Sequence, residues 1–377
     1  MNRTSRGYCL ILFANLLFFM NFSQLMLLPK FVVFLGCTEV EIGYVMGAFS
    51  LSVLVFLPVV GFFSARIKKK TLFVMGAGVM CMATPLYIFV HDAGWGIYSL
   101  RIIQGVGFSS AFGISAAMVY DLIDPKSRVR ALGIMVAFNI STHAMGPALG
   151  EYMIEHYGFD AYFISAGLFG LGATLVALFL PDTPKGQGSR ISSFAHAIPV
   201  IFGAIVLGLV FGFIVIFLPP YLVRLGTDNS SPFFISFVCG SLAVWSLLSG
   251  GVSRMGDRLA WVAAALMFAL LPLNVTCLGT PGYLVIISLA FGIGYGYMYP
   301  RLNMAVIDVI GPDKTGFANT LFVWSFNLGM LGASIGLGAL CPHLGCPGTF
   351  RVTGIMALAL LPLGLMIKKR GSLSFKV

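Results

Sequence analysis

Long apolar stretches alternate with short polar gaps along the whole chain. A helix crossing a bilayer needs about 20 predominantly apolar residues. Twelve stretches meet that requirement: 8–35, 40–64, 71–90, 96–121, 131–154, 160–181, 197–222, 232–253, 260–278, 282–308, 316–340 and 350–367. The gaps carry charges, Gly, Pro or Asn. Period-two alternation persists nowhere, and a helix satisfies its own backbone in lipid, so the pattern predicts twelve spanning helices. The first stretch is too long for a signal-peptide core and has no small-residue cleavage site, so it reads as a retained first crossing. The longest stretch without a strong apolar run is 182–196, which leaves no room for a separate soluble catalytic domain.

Composition sharpens this picture. The 377 residues are 58% hydrophobic and 10% charged, far from the roughly one quarter charged of a soluble domain. The net charge of +10 would invite a nucleic-acid partner in a soluble protein. Here the basic residues cluster in the gaps. With both termini in the cytoplasm, 18 of 23 fall on that side, among them Arg66, Lys68, Lys69, Lys70, Arg128, Lys185, Arg254, Arg258 and Lys314. Lys30, Arg101, Arg224, Arg301 and Arg351 do not. Glu39, Glu41, Asp92, Glu151, Glu155, Asp160 and Asp228 fall outside. The charge therefore orients a plasma-membrane protein and excludes a nucleic-acid partner.

The chain also repeats itself. A shift of 187 aligns Gly105 with Gly292, Gly107 with Gly294, Asp121 with Asp308, Gly158 with Gly345 and Phe163 with Phe350. In the first two helices of each half the shift is 190, aligning Pro29 with Pro219, Gly36 with Gly226 and Gly61 with Gly251. Two near-constant offsets close to half the chain length predict two six-helix bundles of like orientation, 1–181 and 197–377, joined by a cytoplasmic linker at 182–196. Parallel repeats of this kind are a transporter architecture with a solute site near mid-membrane.

Four motifs then resemble the major facilitator superfamily over essentially the whole chain. Gly61-Phe-Phe-Ser-Ala-Arg66-Ile-Lys68-Lys69-Lys70 is similar to its loop motif, with Ala65 and Lys68 in place of an Asp and a Gly. Arg101-Ile-Ile-Gln104-Gly105-Val-Gly107 matches its fourth-helix motif. Gly133, Gly146, Pro147 and Gly150 fit the fifth-helix motif of the antiporter branch, with Thr142 and Glu151 replacing two glycines. Gly292-Ile-Gly294-Tyr-Gly296-Tyr-Met-Tyr-Pro300 resembles bacterial drug and sugar efflux members. The resemblance implies an all-α membrane fold of two pseudo-symmetric six-helix bundles. It also implies alternating access, proton exchange by the fifth-helix motif, and cytoplasmic latches built from Arg66, Asp121, Arg254, Arg258 and Asp308.

Ionisable groups inside a span are costly and become site candidates. Arg101 is a candidate for proton or solute handling, or else snorkels near its helix end. Arg301 lies one turn from Tyr297 and is a candidate carboxylate or phosphate clamp, or else an internal partner of Asp308. That clamp would take an anionic or zwitterionic solute. His143, on the face of Gly146 and Gly150, is a candidate proton carrier or a hydrogen-bonded packing residue. Asn21, Gln24, Gln104 and Asn327 are neutral cavity donors or interhelical glue. The seven cysteines show no zinc spacing; Cys341 and Cys346 could form a disulfide loop or a weak metal site. The expected protein is a monomeric, cofactor-free secondary transporter of a small organic solute. Proton-coupled efflux leads, with uptake symport or facilitation next and a non-transporting receptor or assembly factor as the other class. No nucleophile–base set points to an enzyme.

Overall fold

The computed structural model describes residues 3–64, 66–124, 127–182, 197–227, 229–248, 257–311 and 315–366. Among these residues every regular element is a helix, and they divide into two compact units. The first holds α1 (Arg3–Gln24), α2 (Leu28–Phe34), α3 (Glu39–Phe63, apart from three residues near its start), α4 (Lys69–Ala83), α5 (Trp95–Leu122) and α6 (Arg128–Ala177). The second holds α7 (Ile198–Arg224), α8 (Ser231–Leu248), α9 (Asp257–Leu273), α10 (Pro281–Ile310), α11 (Thr315–Leu331), α12 (Gly338–Leu358) and the short α13 (Leu363–Met366).

Local sequence explains the breaks. α1 and α2 form one rod interrupted by a 3-10 turn at Leu25–Leu27, immediately before Pro29, which cannot donate its share of an α-helical ladder. α3 begins at a capping box: Glu41 N–H donates to Thr38 Oγ1, and Thr38 N–H donates to the Glu41 carboxylate at 2.7 Å. α6 is 50 residues long, about 75 Å at 1.5 Å per residue, and so holds two crossings. Its corner is Gly158, at φ 81 and ψ −179, a backbone region open essentially to glycine. α11 continues through a π-helical stretch, Gly332–Leu337, into α12, which turns its own corner at Gly345.

The repeat is written into this backbone. Gly158 and Gly345 (φ 81 and 69) stand 187 apart, and Gly36 and Gly226 (φ 79 and 77) stand 190 apart. Among the described residues, four of the five positive-φ glycines thus turn corresponding corners at the two offsets read from the sequence. Equivalent glycines also make equivalent contacts. A Cβ on Gly105 would lie 2.9 Å from the Phe49 carbonyl oxygen, and one on Gly292 would lie 2.1 Å from that of Phe237. Large apolar side chains line the outside, including Trp95 at 88% exposed with Phe34, Phe89 and Phe179. In water such a surface would aggregate; against hydrocarbon it is solvated.

Candidate functional site

In the first unit a chain of hydrogen bonds runs through buried polar side chains of α1, α5 and the 84–87 segment that follows α4, and ends on a backbone carbonyl of α6. Arg101 is 3% exposed. It donates through Nη1 to Gln104 Oε1 at 3.0 Å and through Nη2 to Met46 Sδ at 3.7 Å, while its guanidinium lies 4.6 Å over the Phe49 ring. Its Nε has no partner. Gln104 Oε1 also accepts from Tyr87 Oη at 2.9 Å, and Gln104 Nε2 donates to Thr84 Oγ1 at 3.3 Å. Asn21 Nδ2 bonds the same Thr84 hydroxyl and the Ala166 carbonyl at 2.6 Å. A guanidinium sunk among an amide, a thioether and an aromatic face keeps a full charge with no carboxylate bonded to it, which suits it to an incoming anionic group.

A second polar cluster surrounds the break in α1. Tyr162 Oη donates to the Gln24 carbonyl at 2.6 Å, and Ser165 Oγ donates to Gln24 Oε1 at 2.9 Å. Gln24 Nε2 is buried without a partner. Ser23 Oγ lies 2.9 Å from Thr142 Oγ1 and 3.2 Å from His143 Nδ1, so His143 faces α1 among hydroxyls. Gly146 and Gly150 let α6 reach this point. A Cβ on Gly146 would lie 2.8 Å from the Gln24 amide nitrogen, and one on Gly150 would lie 2.8 Å from Leu27 Cδ1. Pro147 sits between them inside the helix. Gly133, by contrast, has open space around it.

One charged pair here escaped the sequence reading. Lys30 Nζ donates to both carboxylate oxygens of Glu151, at 2.6 and 2.8 Å, with the residues 7% and 4% exposed. Glu151 lies inside α6, which runs on to its corner at Gly158, and is buried against α2. The available signal was the substitution of Glu for a motif glycine one residue after Gly150.

Lys69, the first residue of α4, pairs with Asp121 near the end of α5, while Arg66 lies over the Phe62 ring at 4.6 Å. Lys68 Nζ donates to Asp182 Oδ2 at 2.7 Å on the exposed surface and holds that carboxyl below its usual range. In the second unit Arg301 bonds Asp257, the first residue of α9, at 2.6 Å, with Tyr297 beneath its guanidinium at 5.4 Å. This pair replaces the expected alternative with Asp308, which is exposed, as is Arg258. Arg254 lies outside the described residues. The two pairs join the first residue of α4 or α9 to the following long helix, with the charges reversed. Asn327 Nδ2 donates to the Val323 carbonyl of its own helix at 2.9 Å. No disulfide joins Cys341 and Cys346: Cys341 Sγ donates to the Leu337 carbonyl at 3.7 Å, and Cys346 Sγ accepts from Arg224 Nη1 at 3.8 Å. Exchanging the charges in Asp257→Arg with Arg301→Asp tests what Arg301 does. Each single change should slow transport about two- to fivefold, as expected for half-exposed pairs of up to about 1 kcal/mol, and the double change should recover it. An Arg301 that held solute would leave the double variant as slow as the single one in proteoliposome initial rates.

Aromatic packing repeats where polarity does not. Phe108 stacks on Phe112 at 4.9 Å and meets Phe22 and Phe49 at 4.6 and 5.5 Å. Tyr295 and Tyr299, 187 residues on from Phe108 and Phe112, meet at 5.3 Å, and Tyr295 also meets Phe211 and Phe237 at 4.7 and 5.3 Å. Arg101 and Gln104, however, correspond to Ser288 and Phe291. Phe291 stacks on Phe268 at 4.6 Å.

The sequence profile of the Major Facilitator Superfamily matches residues 9–333. The chain belongs to this superfamily. It is 24% identical over 321 residues to the multi-drug resistance efflux pump PmrA of Streptococcus pneumoniae serotype 4 (strain ATCC BAA-334 / TIGR4), covering 80% of this chain and 79% of that protein. It is 25% identical over 190 residues to an uncharacterized transporter of Buchnera aphidicola subsp. Schizaphis graminum (strain Sg). That match takes in 50% of this chain and 46% of the relative, so it spans about half the length of each. The crystal structure of the nucleoside transporter NupG superposes with a TM-score of 0.75 at 16% identity, covering 98% of this chain and 100% of that one. The protein is therefore a multi-pass membrane transporter of the superfamily fold, two six-helix halves. Within that fold the first half carries the buried charges described above. The second presents aromatic rings at the positions of Gln104, Phe108 and Phe112.

Proposed function

We propose that this chain exports a small organic solute carrying an anionic group, alone or as a zwitterion, in exchange for protons. Arg101 carries the reading: a buried guanidinium, bonded only to neutral partners, is where the charge of such a solute is best repaid. The relationship to an efflux pump over four fifths of the chain supports export. Gln104, Asn21 and Gln24 would complete the solute contacts in the first half, with Tyr297 and Asn327 as second-half candidates. His143 and Arg101 are the groups nominated for the proton. The protein would act as a monomer without cofactor or chemical conversion. It would sit in the plasma membrane, the inner membrane of a bacterium, with both termini cytoplasmic. Residues 1–181 and 197–377 would alternate access about the linker 182–196.

Flux of norfloxacin, a fluorescent zwitterion, into proteoliposomes tests this. An interior more acidic than the bath should accelerate uptake several-fold, and a proton–potassium exchanger should abolish the gain. Uptake indifferent to the gradient would make the protein a facilitator, the opposite dependence a symporter, and binding without flux a receptor.

A further inference from the structure

We propose that Glu151 is the proton-binding group of the transport cycle, and that its protonation releases α2 about the 3-10 turn at Leu25–Leu27. This deepens the exchange reading above and rests on it for the role of the proton, though not for its site.

Three observations converge on this residue. Glu151 is the one buried carboxylate among the described residues, in a chain whose other described acids lie at helix ends or on the surface. It is gripped through both oxygens by Lys30, and the two side chains belong to different helices, α6 and α2. The pair spans a hinge. α1 ends at Gln24, the 3-10 turn follows, and Lys30 lies on the far side of that turn. A short 3-10 stretch inside a helix is a recurring hinge element.

The near side of the turn is held independently. Tyr162 bonds the Gln24 carbonyl, and Gly146 brings α6 into backbone contact with Ser23 and Gln24. The Lys30–Glu151 pair is thus the charged tie on the far side of a hinge whose near side is pinned to the same helix. A buried ion pair is poor as a pure stabiliser, because desolvation offsets its attraction. It is effective as a switch, since adding one proton removes the attraction and leaves the cation in place.

The charged and titratable groups around the carboxylate fit this role. Lys30 faces it from α2. Tyr162 approaches from the second arm of α6 and lies within electrostatic range of Glu151, Arg101 and Tyr87 together. His143 lies two turns back on its own helix. With Lys69 matched to Asp121 at the helix ends, the described residues of this unit hold two further buried cations, Lys30 and Arg101, and one buried carboxylate. The step itself is a single transfer: a proton from water binds a Glu151 oxygen, the ionic attraction to Lys30 and the Lys30 hydrogen bond to that oxygen are lost, and the reverse transfer restores them.

The test uses dicyclohexylcarbodiimide, which forms a stable adduct with protonated carboxyls in apolar surroundings, on the full chain in proteoliposomes. Peptide mass spectrometry should find the adduct on Glu151, with a yield that rises about tenfold or more as the pH is lowered. Lys30→Gln, which removes the cation favouring the carboxylate, should raise labelling at neutral pH about tenfold. Glu151→Gln should lose the gradient-driven part of norfloxacin uptake, and Glu151→Asp should retain it. If Glu151→Gln does not fold, Lys30→Gln combined with Glu151→Gln carries the same measurement without stranding a buried cation. Absence of the adduct at every pH, or gradient-driven uptake in Glu151→Gln equal to wild type, overturns the proposal. A wild type with no gradient-driven uptake overturns the exchange reading instead, and labelling then decides the proton site alone.

Discussion

Arg101→Met is expected to lower norfloxacin flux by about ten- to a hundredfold while the protein remains folded. The substitution keeps an apolar stem of similar length against Met46 and Phe49 and removes the charge. A charge-assisted hydrogen bond contributes about 1.5–3 kcal/mol, and 1.4 kcal/mol corresponds to a factor of ten. Met also leaves Gln104 with Tyr87 and Thr84, so the rest of the polar chain keeps its bonds. Arg101→Lys should recover only part of the loss. A single ammonium cannot reach Gln104 and Met46 together and has no planar face to lay on Phe49. Initial rates in proteoliposomes, with monodispersity in detergent as the folding control, measure both. Full flux in both variants would remove Arg101 from the site.

Gly292→Val is expected to leave little folded protein, and Gly105→Ala to be milder. A Cβ at 292 would sit 2.1 Å from the Phe237 carbonyl oxygen and 2.8 Å from its carbon, both backbone atoms with nowhere to go. Relief requires α8 and α10 to separate, and that contact is what packs them in the absence of a hydrophobic drive between helices in lipid. Forced overpacking costs about 1–3 kcal/mol even where side chains can adjust. At 105 the first atoms met are the Ser52 Cβ and Oγ, at 2.5 and 2.6 Å, with the Phe49 carbonyl next at 2.9 Å, so part of the clash falls on a small side chain. The yield of monodisperse protein and its thermal midpoint should rank wild type, Gly105→Ala and Gly292→Val in that order. A Gly292→Val yield equal to wild type would mean that the α8–α10 contact is looser than these distances require.

Most of the fold was legible in advance because the bilayer imposes it. The need for about 20 apolar residues per crossing set the helix spans. The two offsets paired Gly36 with Gly226 and Gly158 with Gly345, and the backbone angles show that these pairs turn corresponding corners. The breaks inside helices were less legible. Nothing in Leu25-Met26-Leu27 marks a 3-10 turn except the proline two residues on, and the π-helical stretch at Gly332–Leu337 has no sequence mark beyond its glycines. At the site, the sequence nominated Arg101, Gln104, Asn21 and Gln24, and the structure gathers them with Tyr87, Thr84, Tyr162 and Ser165, hydroxyl residues that read as ordinary helix content. For Arg301 the sequence offered Asp308 as one alternative, because two turns along one helix is visible in sequence, whereas its partner Asp257 comes from another helix.

Apolar length, basic gaps and a duplicated register thus determine crossings, two halves and membership of a transporter superfamily, because each is set by spacing along one chain. Which charge meets which partner is decided only in three dimensions. Lys30 and Glu151 are 121 positions apart and Lys69 and Asp121 are 52 apart. A buried charge is governed by the groups within a few ångströms of it, and those arrive from other helices.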